Sequence, residues 1–101
     1  MANILKGGKA RVLDAAIQCA EEDGWHYVTR EKVAQLAGVA TGTVNNTLGN
    51  VTEMKDAVMN EAVKRGLLPI VADGLAYGNP IARGAPEELK KKVAEYLIHS
   101  A

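Results

Sequence analysis

The stretch Val28-Thr-Arg-Glu-Lys-Val-Ala-Gln-Leu-Ala-Gly-Val-Ala-Thr-Gly-Thr-Val-Asn-Asn-Thr-Leu48 constrains the fold more than any other part of the chain. Its spacing reads as two short helices joined by a tight turn. Ala34 falls where the first helix must pass close to the second, so a larger side chain would hold them apart. Gly38 stands at the turn, which calls for a positive backbone φ that glycine adopts without steric penalty. Val33, Leu36, Ala37, Val39 and Val44 fall on the inner side and close a miniature core. Thr41, Thr43, Asn45, Asn46 and Thr47 are left as polar groups on or beside the second helix. A buried helix would not carry so many short hydrogen-bonding side chains. The pattern is that of a helix-turn-helix, which sets a small polar surface into the major groove of DNA.

The rest of the composition limits what can surround this unit. A chain of 101 residues supports one domain. Hydrophobic residues make up 48% of it but aromatics only 4%, with no Phe, so the core is built from Ala, Val, Leu, Ile and Met. Such side chains bury less area than rings, and a dimer would add what the protomer lacks. Cys19 is the sole cysteine, which excludes an intramolecular disulfide and fits a reducing cytoplasm, that of a bacterial or phage-infected cell. The N-terminal residues hold no apolar run long enough for a signal peptide or a membrane span.

Formal net charge is zero, which argues against strong nonspecific nucleic-acid binding. The charges are unevenly placed, however. Residues 1–13 contain Lys6, Lys9 and Arg11 and no acid, whereas Glu21, Glu22 and Asp23 cluster at the far end of the next helix. Lys6-Gly-Gly-Lys9 is suited to following a DNA backbone or entering a minor groove.

Along the chain, Val12, Leu13, Ala16, Ile17 and Ala20 recur at helical spacing and predict a helix over Lys9–Asp23 that Gly24 stops. Trp25, Tyr27 and Val28 form an extended connection whose rings plug the space between helices. Thr29 caps a helix over Arg30–Ala37, and the second helix of the unit runs over Thr41–Leu48. Thr52 caps a longer helix reaching Lys64 or Arg65, with Met54, Val58, Ala62 and Val63 on its apolar side. Pro69 suits the first turn of a short helix within the apolar run Leu67–Ala76. The segment from Tyr77 to Pro86 has the glycine and proline content of a loop. A last helix runs from Pro86 through His99, with Leu89, Val93, Tyr96 and Leu97 as its apolar stripe and Lys90, Lys91 and Lys92 on a solvated face. The fold class expected is all-α: three N-terminal helices forming a helix-turn-helix domain, followed by two or three further helices.

The chemistry of reading follows from the side chains. Asn45 and Asn46 each offer a donor and an acceptor together, the pair that matches an adenine edge. Thr41, Thr43 and Thr47 can donate to phosphates or present methyl groups to thymine. Gly42 lets the backbone come close to the duplex. Thr29 and Arg30 can hold phosphate through backbone amides and guanidinium, and Lys55 can hold the same strand. No arginine lies in the reading helix, so the expected site core leans to A·T. Cys19 reads as core filler. His26 and His99 lack metal-ligand spacing, and no phosphate loop, nucleotide fingerprint or catalytic triad is present. Neither an enzyme nor a cofactor, metal or small-molecule ligand is expected.

A resemblance supports the same reading. Arg11-Val-Leu-Asp-Ala-Ala16, Ala20-Glu-Glu-Asp-Gly24, Val33-Ala-Gln-Leu-Ala-Gly-Val39 and Gly42-Thr-Val44 resemble the N-terminal domain of the tetracycline-repressor family. The segment from Val28 to Asn50 is similar to the lactose-repressor family as well. The likeness covers residues 10–65. Ala40 stands where the family usually has a capping serine, which passes the capping role to Thr41, and Asn45-Asn-Thr-Leu48 replaces an aromatic-rich tail. The family's large ligand-binding domain has no counterpart in residues 66–101. The resemblance implies a DNA-binding unit without a drug-sensing half, as in small phage or plasmid regulators.

The organisation expected is therefore a flexible basic arm over residues 1–10, a helix-turn-helix domain over 11–66 and a helical extension over 67–101. The extension would dimerise through Leu89, Val93, Tyr96 and Leu97. The function expected is sequence-specific binding of double-stranded DNA by a homodimeric transcriptional regulator, a repressor, on an inverted repeat with half-sites about 34 Å apart. Two alternatives keep the fold: a DNA-bound accessory protein in phage or plasmid replication, partition or packaging, and a helix-turn-helix turned to protein–protein interaction.

Overall fold

The computed structural model describes residues 7–100, and among them every regular element is helical. Seven α-helices follow one another: α1 (Gly7–Asp23), α2 (Arg30–Ala37), α3 (Thr41–Leu48), α4 (Val51–Arg65), α5 (Leu68–Ala76), α6 (Pro80–Arg83) and α7 (Glu87–Ser100). One turn of 3-10 helix, Trp25–Tyr27, links α1 to α2. The all-α class expected from the sequence holds, with four helices after the first three rather than two or three. The addition is α6, which lies inside the stretch read as loop. Asn79 starts it by accepting hydrogen bonds from the amides of Ile81 and Ala82 at 3.0 and 3.1 Å, and Pro80 occupies its first position.

Two helices run through the middle. α1 packs against α2, α3, α4 and α5, burying Val12, Ala15, Ala16, Ile17, Cys19 and Ala20. Four of these six are Ala or Cys, and their small size lets four neighbours approach one helix. Cys19 is fully buried, as a filler would be, and burial pushes its thiol pKa up. α4 is the second axis, with Met54, Val58, Met59 and Ala62 fully buried against α1, α3, α5 and α6. Gly74 sets the α4–α5 distance. A Cβ there would sit 2.7 Å from the Cβ of Ala82 and closer still to the terminal methyl of Met59. α7 lies outermost, packed on α5 through Val93.

The single indole joins these layers. Trp25 is buried, its Nε1 donates to the carbonyl of Lys55 in α4 at 2.9 Å, and its backbone amide donates to the Asp73 carboxylate of α5 at 3.2 Å. Tyr27, expected to plug the same space, is 65% exposed and stands outside it. A 3-10 turn lifts its ring away, so Trp25 alone fills the gap.

The helix ends follow local chemistry. Thr29 caps α2 by accepting from the amide of Lys32 at 3.2 Å. Gly38 ends α2 at φ 72°, the left-handed conformation the turn demands. α4 is capped by Asn50 and not by Thr52. Asn50 accepts from the Glu53 amide at 2.8 Å, and the Glu53 carboxylate accepts from the Asn50 amide at 3.0 Å. This reciprocal pair satisfies two amides at once, which Thr52 inside the helix could not do. Surface ion pairs such as Arg65 with Asp14 and Glu61, both at 2.8 Å, are exposed and contribute little. No described helix is long and apolar enough to cross a membrane.

Candidate nucleic-acid interface

α2 and α3 form a two-helix unit whose inner and outer sides differ sharply. Val33, Ala34, Ala37, Val44 and Leu48 are buried, and Leu36 and Val39 pack against the same core. On the other side Thr41, Gly42, Thr43, Asn45 and Asn46 are all exposed, and Thr47 is partly so. The helical period sets this division: Val44 and Leu48, four apart, share the inner face and leave the intervening polar residues outside. Arg11 steadies the unit from α1, its Nε donating to the carbonyl of Ala37 at the C-terminal end of α2 at 3.2 Å.

Thr41 does not cap α3. It is the first residue of that helix, and Ala40 takes the cap position without a side chain that can accept, so the opening turn of α3 has no side-chain cap. Gly42, the next residue, lies inside the helix, and a Cβ there would meet no atom of the described residues within 4 Å. The fold itself gives no reason for a glycine at this position.

The flanking cations are more engaged than the sequence indicated. Lys55 donates through Nζ to the carbonyl of His26 at 2.7 Å. Arg30 donates through Nη1 to the Oδ1 of Asn45 at 2.9 Å, so two residues read as separate contacts form one bonded pair. Lys32 is taken up by Asp23 at 3.4 Å and Glu22 at 3.6 Å, and the Asp23 hydrogen bond and charge hold its ammonium above the ordinary lysine range. Asn46 makes no side-chain hydrogen bond with any described residue. A shallow groove of about 350 Å³ lies beside the unit, lined by Thr29, Arg30, Val51, Lys55 and the His26–Tyr27 turn. At its edge His26 stacks on Tyr77, their rings 4.1 Å apart and 9° from parallel. Sequence reasoning missed this aromatic edge, because its two rings come from segments fifty residues apart.

The basic arm does not extend over residues 1–10 as expected. Gly7 through Ala10 belong to α1, so Lys9 stands exposed on the first turns of a helix. Lys6 lies outside the described residues. The apolar stripe of α7 is also differently employed. Val93 is buried inside the protomer and Leu89 packs against its core, while Tyr96 is partly covered. Of the four residues assigned to a dimer interface, Leu97 alone is broadly exposed, at 50%; Ile98, not anticipated, joins it at 72%. The stripe serves α5 first, because α5 brings its own apolar face to it.

Searches of protein-family models, of curated proteins and of solved structures find no match to this chain.

Proposed function

We propose that α2 and α3 act as a helix-turn-helix, that α3 enters the major groove of double-stranded DNA, and that the chain is a sequence-specific transcriptional regulator of the repressor type. The observation that carries this reading is the outer face of α3. Five consecutive-turn positions there are exposed and bear hydroxyls, amides or no side chain at all, although the helix is only eight residues long. A solvated helix face is ordinarily populated by long charged side chains with high helix propensity, whereas Thr, Asn and Gly are poor helix formers. Their collection on one exposed face makes sense as a surface shaped for close approach to base edges and phosphates.

Asn46, with both amide functions unengaged, is the adenine reader on this view. Thr41, Thr43 and Thr47 contact phosphates or thymine methyl groups. Thr29 and Arg30 flank them, Lys9 adds charge from α1 and Lys55 from the start of α4. A homodimer on an inverted repeat fits the modest size of one such surface, with Leu97 and Ile98 of α7 as its apolar contact. The deciding experiment is binding-site selection from random duplexes with the mass of the complex measured in the same sample. A short inverted repeat bound by two protomers supports the reading; failure to enrich any sequence ends it. The exposed rings of His26, Tyr27 and Tyr77 favour the second reading, a protein-binding use of the same fold, and the absence of enrichment would leave that one standing.

A further inference from the structure

The bond between Arg30 and Asn45 has a chemical sense. A guanidinium carries donors only, so it can hold the oxygen of the Asn45 amide and never the nitrogen. The 2.9 Å contact from Arg30 Nη1 therefore turns Oδ1 toward α2 and leaves the –NH2 on the outer side of α3. Reading adenine takes a free oxygen for the N6 amino group together with an N–H for N7. With one lone pair of its oxygen taken and the carbonyl turned toward α2, Asn45 presents chiefly its N–H donors. Removal of water from the groove strengthens such a bond rather than loosening it.

Resting on the reading of α3 given above, we propose that Arg30 is a positioning residue that makes Asn45 a reader of keto bases, guanine or thymine. Their major-groove edges present the O6 or O4 carbonyl as an acceptor where adenine and cytosine present an amino donor. The neighbouring asparagines then differ in what they recognise. Asn46 keeps both functions and selects adenine, whereas Asn45 loses the bidentate match to adenine and favours the acceptor-rich edge of a keto base. Sequence alone gives the two residues the same role.

The test is binding-site selection on random duplexes with the intact chain, run in parallel on the wild type, Asn45→Ala and Arg30→Met. The position whose preference vanishes in Asn45→Ala is the base that Asn45 reads. At that position the wild type selects guanine or thymine. Arg30→Met keeps an aliphatic stem but no donor, frees the oxygen and moves the preference to adenine by about tenfold in relative affinity. Circular dichroism checks that the variant folds, with Arg30→Ala as the replacement if it does not. Adenine at that position in the wild type, no lost preference in Asn45→Ala, or an unchanged keto preference once Arg30 is replaced overturns the assignment of Arg30 while DNA reading stands. A wild type that enriches no sequence overturns the reading of α3 itself, and this inference with it.

Discussion

Replacing Gly42 by alanine separates folding from binding, because the two respond with opposite sign. The residue lies within α3 and is absent from the glycines with positive φ. The added methyl would meet no atom of the described residues within 4 Å. Nothing among the described residues opposes the change, and alanine is favoured over glycine in a helix by about 0.5–1 kcal/mol. For a domain of this size that raises Tm by about 2–8 °C. The same methyl would stand on the face offered to the duplex. If the backbone there touches a base edge or phosphate, the intrusion costs about 1–3 kcal/mol, as overpacking a filled contact does. That is about a 5- to 150-fold loss of affinity. A thermal melt and a fluorescence-anisotropy titration with the selected duplex read the two effects on one sample. A variant that melts higher and binds equally well would refute the close approach. One that melts lower would refute the account of α3 as an unhindered helix.

Further outcomes follow from the geometry. Asn46→Ala weakens a cognate duplex by about 1–3 kcal/mol and relaxes preference at one base pair, whereas Lys9→Ala weakens all duplexes alike and lowers the salt slope by about one unit, both read by anisotropy across a salt series. Trp25→Phe removes the indole's bond to the carbonyl of Lys55, which keeps its own helical partner, and costs about 0.5–1.5 kcal/mol in urea unfolding, where an unchanged midpoint would deny the indole its joining role. Gly74→Ala forces a methyl against Ala82 and Met59 and lowers stability by about 1–3 kcal/mol in the same assay. The Lys32 ammonium is held above its ordinary 10.5 in the folded state, so its contribution is complete below that value and disappears as pH rises through the higher folded one. The difference in urea midpoint between wild type and Lys32→Gln should accordingly stay constant from neutral pH to about 10 and close above it; a gap that persists would contradict the pairing with Asp23.

Much of the two-helix unit was legible because its determinants are local. Thr29 next to a helical run, Gly38 at the turn and Val44 four residues before Leu48 each act over one helical turn, and each stands where its chemistry required. The cap of α4 was misassigned to Thr52: Asn50-Val-Thr-Glu53 does spell a reciprocal cap, but Thr52 competes with it in the sequence and only the backbone decides between them. A four-residue helix such as α6 has no period to detect; Asn79-Pro80 was its sole signal. What the sequence could not disclose are pairings made by the fold. Arg30 and Asn45 lie fifteen residues apart, Lys55 gives its ammonium to a carbonyl in a distant turn, and an apolar stripe such as that of α7 does not say whether its cover is α5 or a second protomer.

Trp25 also has a mechanical meaning. Its ring is fastened to the carbonyl of Lys55 and its amide to Asp73, five residues ahead of Arg30 in the chain. Through this one residue α4 and α5 are both tied to the turn that leads into α2, whose first residue, Arg30, holds the Asn45 amide.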